Sequence, residues 1–313
     1  MNQHLPILRV QTARGYPVAR DGIVICFFMH RSHGAVAHAL WRALQTYRRA
    51  ILPQALSWYA DDNGDWQPLD EKGWKHIREE ILERRWPAAC HIDLEEHCDA
   101  PSGYNFEYDG LWLDAPLFYD QDTTCAVTFT LPTEYMVEHG PAHVRALALE
   151  LARELPFSFG YASFALVAPD GRWFAAPNTI GALRDRYPGL DIYKLRETSK
   201  DIGTNARGAY WLTFLGLPLL GRLGGLEVLR RRLPFPEVSL QTLPPLEGER
   251  VLVTLSEWPE AIDTEQHERP SPQLLALGHL LEPHLHEERS NWFYFLNNND
   301  RQDMRRWIRR FCP

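Results

Sequence analysis

At 313 residues, with 45% hydrophobic and 24% charged side chains, the chain is long enough to bury a sizeable core and too apolar for wholesale disorder. Its 33 basic and 41 acidic residues leave a formal charge of −8, which argues against generic binding to nucleic acid or anionic membrane and fits a basic partner. Five irregularly spaced cysteines (Cys26, Cys90, Cys98, Cys125, Cys312) read as reduced thiols, the Met1–Gly22 segment carries no signal peptide, and no apolar run approaches a membrane span, so the expected compartment is the cytoplasm.

Ile23–Met29 predicts a buried strand, followed by a helix from about Gly34 to Ile51 with Val36, Leu40, Leu44, Tyr47 and Ile51 on one face. Strands are expected at Leu56–Ala60 and Gln67–Leu69, and the Asn63-Gly64 pair between them reads as a hairpin turn. Trp74, Ile77 and Ile81 mark the next helix. Strands follow at Cys90–Glu95, Tyr104–Tyr108 and Cys125–Leu131. PTEYMVEHG reads as a turn before a helix begun by Pro141, which aligns Val144, Leu147, Leu151 and Leu155.

Phe157–Ala168 and Ala209–Leu215 predict further strands, the second leading through LPLLGRLGG to a Leu/Arg helix ending near Leu233. Val238–Leu243 and Val251–Ser256 are strands, Ser271-Pro272 starts a helix bearing Leu274, Leu277 and Leu281, and Pro234–Pro245 and Asp263–Pro272 are surface connections. The last helix sets Met304, Trp307, Ile308 and Phe311 against Arg301, Arg305, Arg306, Arg309 and Arg310, which fits a terminal helix docked on the core. The order strand, turn, helix occurs three times. It predicts one α+β unit over residues 1–313, with mixed or antiparallel sheet and packed helices, built as two related β–α halves with subdomains 1–120 and 121–313.

Motifs of chemistry are thin. Cys90, His91, His97 and Cys98 form the best metal candidate, but on a strand the cysteines share one face and the histidines the other, and a tetrahedral site needs all four to converge. Gly216-x-x-x-x-Gly221 is followed by Arg222-Leu223 where a phosphate loop requires Lys-Ser/Thr. His284 and His286 beside Glu282, Glu287 and Glu288 read as a solvated helix end. The expectation is therefore no enzyme, no catalytic residue, no cofactor and no metal. What stands out is acid interleaved with aromatics: Asp61, Asp62, Asp65 and Trp66 at the hairpin; Asp93, Glu95, Glu96 and Asp99; and Asp109, Asp114, Asp120 and Asp122 among Tyr104, Phe106, Tyr108, Trp112, Phe118 and Tyr119. Aromatics anchor an interface and carboxylates steer a basic partner, so Asp61, Asp62, Asp65, Trp66, Asp93, Glu95, Glu96 and Asp109 are the expected partner-binding residues.

FFMHRSHGAVAHALWRAL, GDWQPLDEKGW, LPTEYMVEHGPAHVRALALELARELPF, RYPGLDI, IGTNARGAYWLTFLG and VTLSEWPEAID together resemble the type VI secretion immunity proteins of bacteria, over roughly residues 20 to 290. The resemblance implies a cytoplasmic, non-enzymatic inhibitor of one cognate effector toxin; the acidic and aromatic segments suggest that it acts by covering the toxin's active site, and a nuclease, a nucleotide-consuming enzyme or a modifier of cytosolic targets all fit, the nuclease agreeing best with the acidic segments. It carries no catalytic motif, so no active-site residue is transferred. Two other classes stay open: an adaptor or chaperone that loads an effector without inhibiting it, and an enzyme of a kind these motifs do not reveal.

Overall fold

The computed structural model describes residues 5–83, 89–114, 120–168, 173–246, 248–289 and 301–313. Its frame is one eleven-stranded sheet in which every strand pair is antiparallel. The strands are β1 (Arg9–Gln11), β2 (Pro17–Met29), β3 (Trp58–Ala60), β4 (Trp66–Pro68), β5 (Ala89–Glu95), β6 (Asn105–Leu111), β7 (Cys125–Pro132), β8 (Phe159–Val167), β9 (Leu212–Leu215), β10 (Ser239–Leu243) and β11 (Arg250–Thr254). Across the sheet they run β10-β11-β9-β8-β2-β7-β6-β5-β3-β4, with β1 alongside the start of β2. Strands from before and after residue 120 therefore share a single hydrogen-bonded surface, and β2 lies in its middle between β7 and β8.

Ten α-helices are described: α1 (His33–Ala50), α2 (Glu71–Leu82), α3 (Thr133–His139), α4 (Pro141–Glu154), α5 (Pro177–Arg186), α6 (Leu195–Asp201), α7 (Leu219–Arg222), α8 (Gly225–Arg232), α9 (Pro272–Leu281) and α10 (Arg301–Ile308). The α+β class read from the sequence is the one observed. Most expected elements are present within a few residues, and the differences have local causes. PTEYMVEHG is a helix, α3, capped by Pro132 and broken from α4 by Gly140 at φ 82°, so the glycine that read as a turn residue is the elbow between two helices. β2 begins at Pro17, earlier than its apolar run, because its polar start pairs with β1. The hairpin is not a two-residue Asn-Gly turn. Asp61–Asp65 forms a loop closed by Gly64 N–H to Asp61 O and Asp61 N–H to Asp65 O, with the positive φ at Gly64 alone.

The two sheet faces have different chemistry. On one, Ile23, Ile25 and Phe27 of β2 sit beside Leu131, Phe129 and Val127 of β7, then Phe106 and Tyr108 of β6, then Leu94 and Ile92 of β5. All are buried. Tyr47 of α1 packs edge-on against Phe129, and α1 in turn meets α2 and α4. This is the larger core, and burying such aromatic side chains supplies the main driving force for folding. Helix α2 is positioned by its cap: the Asp70 carboxylate accepts from Lys72 N–H and Gly73 N–H, both at 2.9 Å. The C-terminal helix docks as expected, with Met304, Trp307, Ile308 and Phe311 buried. It passes so close to α9 that a Cβ on Gly278 would stand 2.2 Å from Phe311 O.

The opposite face is polar. One row runs Glu107, Thr128, Cys26, Tyr161, Thr213 across β6, β7, β2, β8 and β9. A strap from Tyr187 to Trp211, including α6, covers this face by lying on β6 and β7. Its anchor is a buried ion pair: Arg207 Nη1 lies 2.7 and 2.8 Å from the two carboxylate oxygens of Asp191, and Tyr161 OH donates to Asp191 Oδ2 at 2.8 Å. Arg207 Nη2 donates to Ile192 O, the Tyr161 and Tyr210 rings stack at 4.0 Å, and Arg310 of the C-terminal segment approaches Asp191 at 3.8 Å. Strand alternation makes one polar side chain in two point here, so the face can be covered only if its polar groups are matched.

Candidate protein-binding face

Strand register divides the expected partner-binding residues into two sets. His91, Asp93 and Glu95 alternate with Cys90, Ile92 and Leu94 along β5, so the acids point to the polar face and the apolar residues to the core. Across the β5–β6 ladder His91 faces Asp109, Asp93 faces Glu107 and Glu95 faces Asn105. Asp93, Glu95 and Asp109 are not on exposed loops: they are buried strand residues, 6%, 1% and 1% exposed, and this corrects the surface position expected for them. Asn105 Nδ2 donates to both Asp93 Oδ1 and Glu95 Oε1 at 2.9 Å, bridging the two carboxyl groups through one amide. Ser199 Oγ of α6 donates to Asp109 Oδ2 at 2.8 Å. Burial raises the Asp109 carboxyl above the ordinary range, against the lowering effects of the Ser199 hydrogen bond and of His91, Arg196 and Lys200.

Beside this row lies a cavity of about 190 Å³ lined by His91, Asp93, Glu95, Glu107, Trp173 and Lys194, among others. The acids that read as an interface are thus the floor of a recess between β5, β6 and the strap. No group of three or more metal-ligating side chains converges among the described residues. Cys90 and His91 point to opposite faces of β5, with the Cys90 thiol against Glu80 O at 3.7 Å.

The second set is open. Trp58 of β3 pairs with Glu95 on one side and Pro68 on the other, and Ala60 pairs with Trp66, so Trp58 and Trp66 carry the polar face outward past the strap. Both indoles are half-buried, and Asp62 and Asp65 at the loop tip are exposed. Glu96 and His97 continue the rim, 3.9 Å apart. Asp61 behaves differently from its neighbours. Its carboxylate turns back into the loop, accepting from Asn63 N–H at 2.9 Å, Asp65 N–H at 3.0 Å and Gln67 Nε2 at 3.1 Å. Those backbone hydrogen bonds, that from Asp65 first, lower its pKa. Asp61 shapes the hairpin; Asp62, Asp65 and Trp66 decorate it. Phe118 and Tyr119 lie outside the described residues.

What sequence reasoning missed is the Asp191–Arg207 pair and its tyrosines. Asp191 and Arg207 stand in strings quoted for the family resemblance, RYPGLDI and IGTNARGAYWLTFLG, yet nothing local says that the two charges meet. The Gly216–Gly221 segment encloses no phosphate loop: α7 within it is four residues long, and a Cβ on Gly216 would meet Phe157 O at 2.2 Å.

The antiparallel sheet thus has a helix-packed apolar face and a strapped polar face whose uncovered edge carries Trp58, Trp66, Asp62 and Asp65. The family model described as "Type VI immunity for VRR-NUC" matches residues 39–311, and the chain belongs to that family of type VI immunity proteins. Among solved structures it is similar to the Pseudomonas aeruginosa T6SS protein PA0821, at a TM-score of 0.73 and 20% identity over 97% of this chain and 90% of that one, a likeness of fold. No curated protein matches the chain. No described helix is long and apolar enough to cross a membrane.

Proposed function

We propose that this immunity protein binds a VRR-NUC nuclease effector and blocks it stoichiometrically, by packing the open β4–β3–β5 edge of its polar face over the nuclease's substrate groove. The carrying observation is the family match, whose description couples type VI immunity to VRR-NUC. The geometry supplies a surface of the right kind. Trp58 and Trp66 are amphipathic anchors beside Asp62, Asp65 and Glu96, on a chain of net charge −8. A nuclease must present a positive groove to hold phosphates, so it meets this edge with complementary potential. The inhibitor acts in the cytoplasm, where the substrate is, and performs no chemistry of its own. Covering a groove takes a standard interface of ~1,600 Å², within the reach of a hairpin, the adjacent rim and the loops beside it.

Mixing purified nuclease with increasing amounts of this chain tests the reading directly. Cleavage should fall linearly and vanish near one equivalent, and coexpression should restore growth of cells making the nuclease. An adaptor would co-purify with the effector and leave cleavage intact, and that result would discard the inhibitor.

A further inference from the structure

An open sheet ends in two edge strands, and each is a template for another strand unless something blocks it. The two ends of this sheet differ. At one, β4 has three residues and finishes on Pro68, which lacks an N–H. At the other, β10 has the sequence Ser-Leu-Gln-Thr-Leu and pairs with β11 in unbroken register from Ser239↔Thr254 to Leu243↔Arg250. It contains no lysine, no proline, no bulge and no charge, the devices that normally guard an edge. Ser239, Gln241 and Thr242 are exposed, and alternate backbone N–H and C=O groups of such a strand face away from its neighbour. Pro236 before it and Pro244 after it limit the competent length to these residues.

We infer that β10 is the contact between two copies of this chain, paired antiparallel about a twofold axis at Gln241 so that one sheet continues through both. Self-pairing is what the composition of β10 suits. A twofold axis at Gln241 sets that residue against its own copy, where a charge would meet its like; Gln241 is uncharged, as is the rest of β10. Gln241, on the axis, has both an amide donor and an amide acceptor and can hydrogen-bond its own copy. Ser239 then stands across from the partner's Leu243 and Leu240 from the partner's Thr242, pairs without conflict. Leu246, 50% exposed just past the strand, adds apolar area that five residue pairs alone would lack. Because β4 is blocked and β1, paired only with the start of β2, has three residues, β10 is the longest open edge among the described strands, and twofold pairing through it closes the assembly at two. The effector-binding edge lies at the far end of the strand order, so pairing through β10 leaves it free.

Light scattering coupled to gel filtration, on the full chain at micromolar concentration, decides the matter. The wild type should show twice the 36.3 kDa chain mass. Gln241→Lys should show a single chain mass with an unchanged circular dichroism spectrum and unchanged inhibition of the nuclease. Mixing Gln241→Lys with Gln241→Glu should restore the double mass, which a folding defect would not allow. A wild type that stays at one chain mass overturns the inference, as does a Gln241→Lys variant that keeps the double mass. If Gln241→Lys loses the nuclease, the edge belongs to the effector and self-pairing is discarded. Failure here leaves the inhibitor reading untouched, since that rests on the cleavage titration alone.

Discussion

Two buried aspartates on the polar face are satisfied to very different degrees. Asp191 has an arginine on both oxygens and a tyrosine hydroxyl besides, whereas Asp109 has Ser199 on Oδ2 and no hydrogen bond to Oδ1, with Arg196 Nε 3.9 Å away. Burial raises the Asp109 pKa in the folded chain, so the folded state holds that proton more tightly than the unfolded one. The ionised carboxylate therefore opposes folding at neutral pH, and the opposition fades as pH falls through the folded value. Asp109→Asn keeps an acceptor for Ser199 and removes the charge. It should raise the melting temperature at neutral pH by ~3 °C, with the gain shrinking in melts taken at progressively lower pH. A lower melting temperature at neutral pH would show that Arg196 or His91 repays the charge in full. Neither aspartate's setting was legible from its neighbours. The alternation Cys90-His91-Ile92-Asp93-Leu94-Glu95 announces a strand with one apolar and one polar face, but whether the polar face meets water depends on α6, a hundred residues further on.

At the scale of elements, the expected hairpin is present and its carboxylates have separate duties. Asp61 holds the loop through two backbone N–H groups, so replacing it would alter the hairpin's shape together with its charge. Asp62 and Asp65 lie on the exposed tip. The double variant Asp62→Lys/Asp65→Lys should leave the far-ultraviolet spectrum unchanged and weaken nuclease binding about tenfold or more, as titration calorimetry would record. Unchanged affinity would remove the hairpin from the interface. Long apolar periods made α1, α4, β2, β7 and β8 readable in advance. Among the elements that went unseen is α6, Leu-Arg-Glu-Thr-Ser-Lys-Asp, which has little apolar sequence of its own and packs on β6 and β7. Two of the strings that carry the family resemblance meet at a close backbone approach in the strap. RYPGLDI brings Gly189 so near Glu260 O that a Cβ would stand 1.9 Å away, and VTLSEWPEAID supplies that oxygen.

For the whole molecule, charge and shape act together at a distance from any contact. A chain of net charge −8 that exposes Asp62 and Asp65 at one open edge should attract a basic groove before the surfaces touch, so encounter is steered and the benefit lies mainly in the association rate. Once docked, Trp58 and Trp66 are shielded from salt, and dissociation depends on their packing. Raising ionic strength from about 0.05 M to about 0.5 M shortens the Debye length from roughly 14 Å to roughly 4 Å, which should cut the association rate constant about tenfold or more and change the dissociation rate constant little. Stopped-flow tryptophan fluorescence can follow both, because the two indoles stand at the proposed contact. The Asp62→Lys/Asp65→Lys chain should show a flatter salt dependence than the wild type, since it has lost part of the steering charge. An association rate indifferent to salt in the wild type would mean that the acidic edge does not face the nuclease, and the contact would then have to be sought on the apolar helices or the strap.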